Sequence, residues 1–233
     1  MNNNNNTQKG SRTATVLIAV VVGLIVAGIG LTMVKSNKTV DQATTAESQG
    51  TPRTDTSAAD LRVTLNALER EHVNLASAAT RRGFEGDPDF AAAAGELDTN
   101  SKAIAAAVGS VYGPEAEAKF YEIWASHIGF FVDYTVAAKG GNQAGMDKAV
   151  ADLGGYQNAI ADFLSEANPN LPRQAVFDLV GEHIGLLKGA VDAHGAKDYP
   201  LSYAKEHEAN VQIGTIADAL SGAIVKQYPE KFE

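Results

Sequence analysis

Three short segments with a histidine at their centre constrain this chain more than anything else in it: Glu71-His72-Val73-Asn74-Leu75, Ser126-His127-Ile128-Gly129-Phe130 and Glu182-His183-Ile184-Gly185-Leu186. The histidines are 55 (127 − 72) and 56 (183 − 127) residues apart. Each lies in a stretch with helical periodicity. His127 has Ile123, Trp124, Phe130 and Phe131 three and four places away, His183 has Leu179, Val180, Leu186 and Leu187, and His72 has Leu68, Glu69, Leu75 and Ala76. Residues at those offsets share one helix face, so the imidazoles are expected to point inward.

The similarity extends beyond the pentapeptides. A shift of 56 lays Phe120 on Val176, Tyr121 on Phe177 and Ile123 on Leu179, and carries Leu97 onto Leu153 and Ala103-Ile104 onto Ala159-Ile160. It also carries Ile160 onto Ile216 and Leu164 onto Leu220. A fixed period of this kind marks stacked supersecondary units. Residues 58–233 therefore read as an all-α body of six helices, made of three helical hairpin repeats. Turn signals at Arg82-Gly83, Asp87-Pro88, Tyr112-Gly113-Pro114, Gly140-Gly141, Asn168-Pro169 and Gly195 divide the helices. No segment has the period-two pattern of a strand. The repeat is compatible with an open stack or a closed bundle. Gly129 and Gly185, each two places after its histidine, suggest close helix approach, because Gly inside a helix costs about 1 kcal/mol relative to Ala.

Ahead of the body the composition changes. Residues 1–12 are a polar, Asn-rich tail, and from Ala14 to Val34 the chain is almost unbroken apolar sequence. At 1.5 Å rise per residue that run reaches roughly 30 Å, the thickness of a bilayer's hydrocarbon core. Residues 13–35 are read as a transmembrane anchor. A cleaved signal peptide is the alternative, but the run is longer than a signal's apolar region and lacks an A-x-A-like site. Residues 36–57, rich in Ser, Thr, Gln and Asp, read as a flexible linker. Lys9 and Arg12 before the span nearly balance Lys35 and Lys38 after it. The short tail and the large body favour a single-pass cell-membrane protein with a cytoplasmic N-terminus and an extracytoplasmic C-terminal domain.

The stretches SHIGFFVDYT, SEANPNLPRQAV and ADALSGAIVKQYPEKF resemble the all-helical extracytoplasmic domains of Gram-positive bacteria, which are often fused to copper-amine-oxidase-type N-terminal modules. The resemblance covers residues 58–233. It implies an exported helical body of no settled activity, and it raises copper by association. No amine-oxidase-like module is found in these residues, so that chemistry is not carried over.

The candidate chemistry is metal binding. His72, His127 and His183 are the candidate ligands, with His207 and Glu69 as further contacts and copper or zinc as the suited metals. Glu69 and His72 have the Glu-x-x-His spacing of carboxylate-bridged dimetal bundles. A second such motif is missing, because Glu182-His183 and Glu206-His207-Glu208 have the wrong offsets. A dimetal oxidase is therefore not expected. The alternative is that each histidine fills its own hairpin core, hydrogen-bonded to a neighbour. Trp124, Tyr121 and Phe131 read as core, and His194 as a partner for a helix C-terminus. There is no cysteine, which removes thiolate sites and cysteine nucleophiles. No Ser–His–Asp arrangement or phosphate loop appears. Net charge is −9 overall, with +2 in residues 1–50, so the body is acidic and nucleic acid is not an expected partner. The expected role is a non-catalytic binding protein of the cell envelope, with a metal-free structural or protein-interaction module of the cell surface as the competing reading.

Overall fold

A computed structural model describes residues 54–232. The tail at 1–12, the expected anchor at 13–35 and the linker up to residue 53 lie outside the described residues. Six helices follow one another: α1 (Ser57–Glu85), α2 (Phe90–Tyr112), α3 (Pro114–Lys139), α4 (Gln143–Ala167), α5 (Arg173–Gly195) and α6 (Tyr199–Gln227), with a short 3₁₀ turn at Pro229–Lys231. Among the described residues there is no strand, and no helix is long and apolar enough to cross a membrane.

Local chemistry sets the helix ends. Thr56 caps α1 by accepting from the Ala59 amide at 3.2 Å. The helix runs past Gly83 and ends at Gly86, whose φ of 80° is the left-handed conformation that glycine adopts freely. Asn142 and Asp198 cap α4 and α6, accepting from the Gly145 and Leu201 amides. Pro114 opens α3 at a position where its missing N–H costs nothing.

Connections this short make sequential helices antiparallel neighbours. Each helix packs on the next, and α6 packs back on α1, so the helices close into a ring. The odd-numbered helices α1, α3 and α5 also touch one another across the interior. Between an open stack and a closed bundle, the body is the closed one.

Burial follows the register of the sequence. The buried residues of α3 are Phe120, Trp124, His127, Phe131, Tyr134, Thr135 and Ala137, and those of α5 are Val176, Val180, His183, Leu187, Ala190, Val191 and Ala193. The second set is the first displaced by 56 at every position. Along the bundle, one apolar layer holds Leu65, Phe120, Trp124, Val176 and Val180. A second holds Val73, Phe131, Leu187 and Ile213, and a third holds Tyr134, Ala149 and Val191. The three histidines fall between the first two layers. Residues Thr51–Glu233 form one compact unit, and the members of all three apolar layers come from within it, so the unit carries the core it needs to fold alone.

The glycines do not act as the sequence suggested. A Cβ on Gly129 or Gly185 would meet nothing within 4 Å, and both residues are exposed. They lie on the outer face because His127 and His183, two residues earlier and about 200° around the helix, point in.

Candidate functional site

Helices α1, α3 and α5 bring His72, His127 and His183 into the bundle interior, with relative exposures of 1%, 4% and 7%. The apolar residues one turn either side of each histidine face the core and take the imidazole in with them. The Nε2 atoms of His72 and His127 face each other at 3.4 Å. His127 donates its Nδ1–H to the Trp124 carbonyl, one turn earlier on α3. That contact fixes the tautomer, so Nε2 of His127 presents a lone pair to His72. His183 is held in the same way. Gln212 donates Nε2–H to the Leu179 carbonyl at 2.8 Å, which turns its Oε1 towards His183 Nδ1 at 3.1 Å. The Nε2 of His183 is left as a free lone pair with no hydrogen-bond partner.

His72 has no arrangement that satisfies every neighbour. If its proton is on Nε2, it donates to His127, and Nδ1 is then a bare acceptor without a partner. If the proton is on Nδ1, two Nε2 lone pairs confront each other across 3.4 Å. Asn100, whose side chain favours the charged form of His72, donates to the Leu68 carbonyl at 3.0 Å and to Glu71 at 2.9 Å. Its own Oδ1 has no donor.

Burial keeps these rings neutral. It pulls His127 down to about 3 and His183 to about 4, and it holds His72 well below the ordinary histidine range, with His127 and His183 adding to the effect. Glu69, one turn before His72 and only 1% exposed, is pushed up to about 8 by burial, and its Oε2 has no partner. Glu69, His127, His183, Trp124 and Tyr156 line one cavity of about 50 Å³. That is room for a few waters or an ion with its water.

Three residues of this site were not singled out from the sequence. Tyr156 stacks on His127 with ring centroids 4.6 Å apart, Gln212 holds His183, and Asn100 acts on His72. They occupy the same register, 56 residues apart (156 − 100 and 212 − 156), on the even-numbered helices. The shift that paired Leu97 with Leu153 points to them three residues later. Their dissimilar side chains hid the match.

His207 is not part of the group. It is exposed on α6 and lines a shallow surface depression with Glu182 and Glu208. His194 donates to Glu85 at 2.7 Å, a carboxylate on α1, rather than to the end of its own helix. Trp124 and Phe131 are core residues, and Tyr121 is half-buried, donating to Asp98. Among the described residues, no three of His, Asp or Glu are gathered closely enough to hold a metal ion as they stand.

The interior can thus offer a cation two converging imidazole nitrogens, a third free imidazole nitrogen and one neutral carboxyl group. No family model, curated protein or solved structure matches the chain, so the case for function rests on this interior.

Proposed function

We propose that this chain is a membrane-anchored, extracytoplasmic binding protein of the cell envelope, non-catalytic, that takes up a transition-metal ion between His72 and His127. Residues 13–35 would anchor it as a single pass, with the N-terminus cytoplasmic and the body outside. The body is three copies of one hairpin unit. The matched buried positions of α3 and α5 support this, as does the recurrence of an inward histidine with a partner at the 100/156/212 register.

One observation carries the metal reading: His72 and His127 meet Nε2 to Nε2 at 3.4 Å in a buried interior, with a proton too few for one tautomer of His72 and an acceptor too many for the other. A cation between the two nitrogens resolves that conflict. With metal–nitrogen bonds of 2.0–2.1 Å, a tetrahedral bite spans about 3.3–3.4 Å. Neutral imidazole is the ligating form, and burial keeps these rings neutral. The remaining positions would be filled by water, or by His183 and Glu69 after side-chain rotation. Charge separates the two candidate metals. Zinc would bring two charges into an apolar core and draw the proton off Glu69, whereas monovalent copper would leave that proton in place.

The test is metal analysis of residues 51–233 purified without chelator, followed by zinc and copper(I) titration of the parent and of His72→Gln and His127→Gln. One equivalent bound by the parent and at least a tenfold loss in either variant is expected. A parent that takes up no metal, with variants that only lose stability, leaves the metal-free structural or protein-interaction module. That second reading draws on the aromatic and amide partners the rings already have.

A further inference from the structure

On the other side of the histidine layer lies a larger cavity of about 220 Å³. Its mouth is at Gly86, Asp87 and Val136, all exposed, and its floor is His72 and His127. The wall between them is apolar, with Phe84, Phe90, Leu97, Phe131, Leu187 and Val191 the largest contributors. Three polar atoms in this wall are buried with no partner: Ser77 Oγ, His72 Nδ1 and His194 Nδ1. Natural interiors rarely leave such groups unpaired, and small-molecule sites are mostly apolar pockets with a small number of polar atoms in the wall.

We infer that this cavity binds an uncharged aromatic molecule bearing an O–H or N–H donor, such as a phenol or an indole. Size follows from volume, since a dry cavity of roughly 150 Å³ accepts benzene. Neutrality follows from the wall. Its cation, Arg81, is already paired with Glu206 and lies over the Tyr203 ring, so an anion would find no free positive charge. The donor requirement follows from the imidazoles. His194 gives its Nε2–H to Glu85, which makes Nδ1 of the neutral ring an acceptor. With the His72 proton on Nε2, towards His127, its Nδ1 is an acceptor as well. Ser77 can accept or donate.

The acceptor role of His72 Nδ1 belongs to the metal-free interior, so the test is made in chelator. Residues 51–233 are titrated with 2-naphthol, naphthalene and 2-naphthoate by calorimetry. The fluorescence of Trp124, the sole tryptophan and 4.9 Å from the His72 ring, serves as a second readout. We expect saturable 1:1 binding of 2-naphthol, about tenfold weaker binding of naphthalene, and none of the anion. Ser77→Ala should narrow the gap between the first two without changing the melting temperature much. Ala79→Leu, which fills the cavity, should abolish both. No saturable binding by the parent overturns the site. Equal affinity for naphthol and naphthalene, or comparable binding of naphthoate, overturns the donor and charge assignments.

Discussion

At position 69, three residues before His72, the chain has a carboxyl group where Trp124 and Val180 stand three residues before His127 and His183. All three sites are buried, so Glu69 is held neutral by burial rather than by a partner. In the unfolded chain it ionises near 4.5, and in the folded one near 8. Between those values folding must take up a proton. Its contribution to stability is therefore complete below about pH 4.5 and fades as pH rises through about 8. His127 and His183 have the opposite sign, contributing above about 6.5 and losing that contribution as pH falls towards their folded values. Glu69→Gln isolates the first effect. The stability of the parent relative to Glu69→Gln should drop by a few kcal/mol between pH 4.5 and 8, read from urea melts. A difference that stays flat with pH would mean that Glu69 is ionised and paired in the folded protein.

At the scale of helices, the ends of α2, α4 and α6 are tied by a polar network. Asn168, 1% exposed, donates to the Tyr112 hydroxyl at 2.9 Å and accepts from the Asn170 amide. Tyr112 in turn donates to Gln227 at 2.8 Å, and Gln227 reaches the Ala167 carbonyl at 3.0 Å. Removing Asn168 takes a donor from the Tyr112 hydroxyl and an acceptor from Asn170. Asn168→Ala should cost about 2 kcal/mol in chemical denaturation. An exposed ion pair is a useful contrast. Arg62 and Asp218 join α1 to α6 through two hydrogen bonds but are well exposed, so Arg62→Ala should cost less than about 1 kcal/mol.

For the whole molecule, closure of the ring is the decisive property. The seam between α6 and α1 includes Ala209 and Ala217 at 0% exposure, beside Leu65 and Ile213 at 1%. Small residues let these two helices approach. Ala217→Leu should overpack the seam by about 1–3 kcal/mol. An open row of hairpins would survive loss of its last unit with its remaining interfaces intact. A ring would not. Truncation after Gly195 removes α6 and exposes both α1 and α5, so the shortened body should lose its cooperative melt. A sharp thermal transition in that truncation would argue for hairpins that fold independently.

Much of the helical content was written in local signals. The turn residues and the i, i+3, i+4 apolar spacing set six helices to within a few residues, and the inward aim of His72, His127 and His183 followed from their flanking side chains. Gly129 and Gly185 misled because a helical glycine signals a cost without saying which face bears it. Asn100, Tyr156 and Gln212 went unseen because a position facing an imidazole needs a polar or aromatic group but not a particular one. Periodicity along a chain thus determines which residues turn inward, since that depends only on helix geometry. Which of them meet depends on how the helices pack. The packing of α1 on α3 sets His72 against His127, and the ring as a whole leaves His207 outside and encloses a cavity on each side of the histidines, because contacts between distant segments depend on which helices become neighbours.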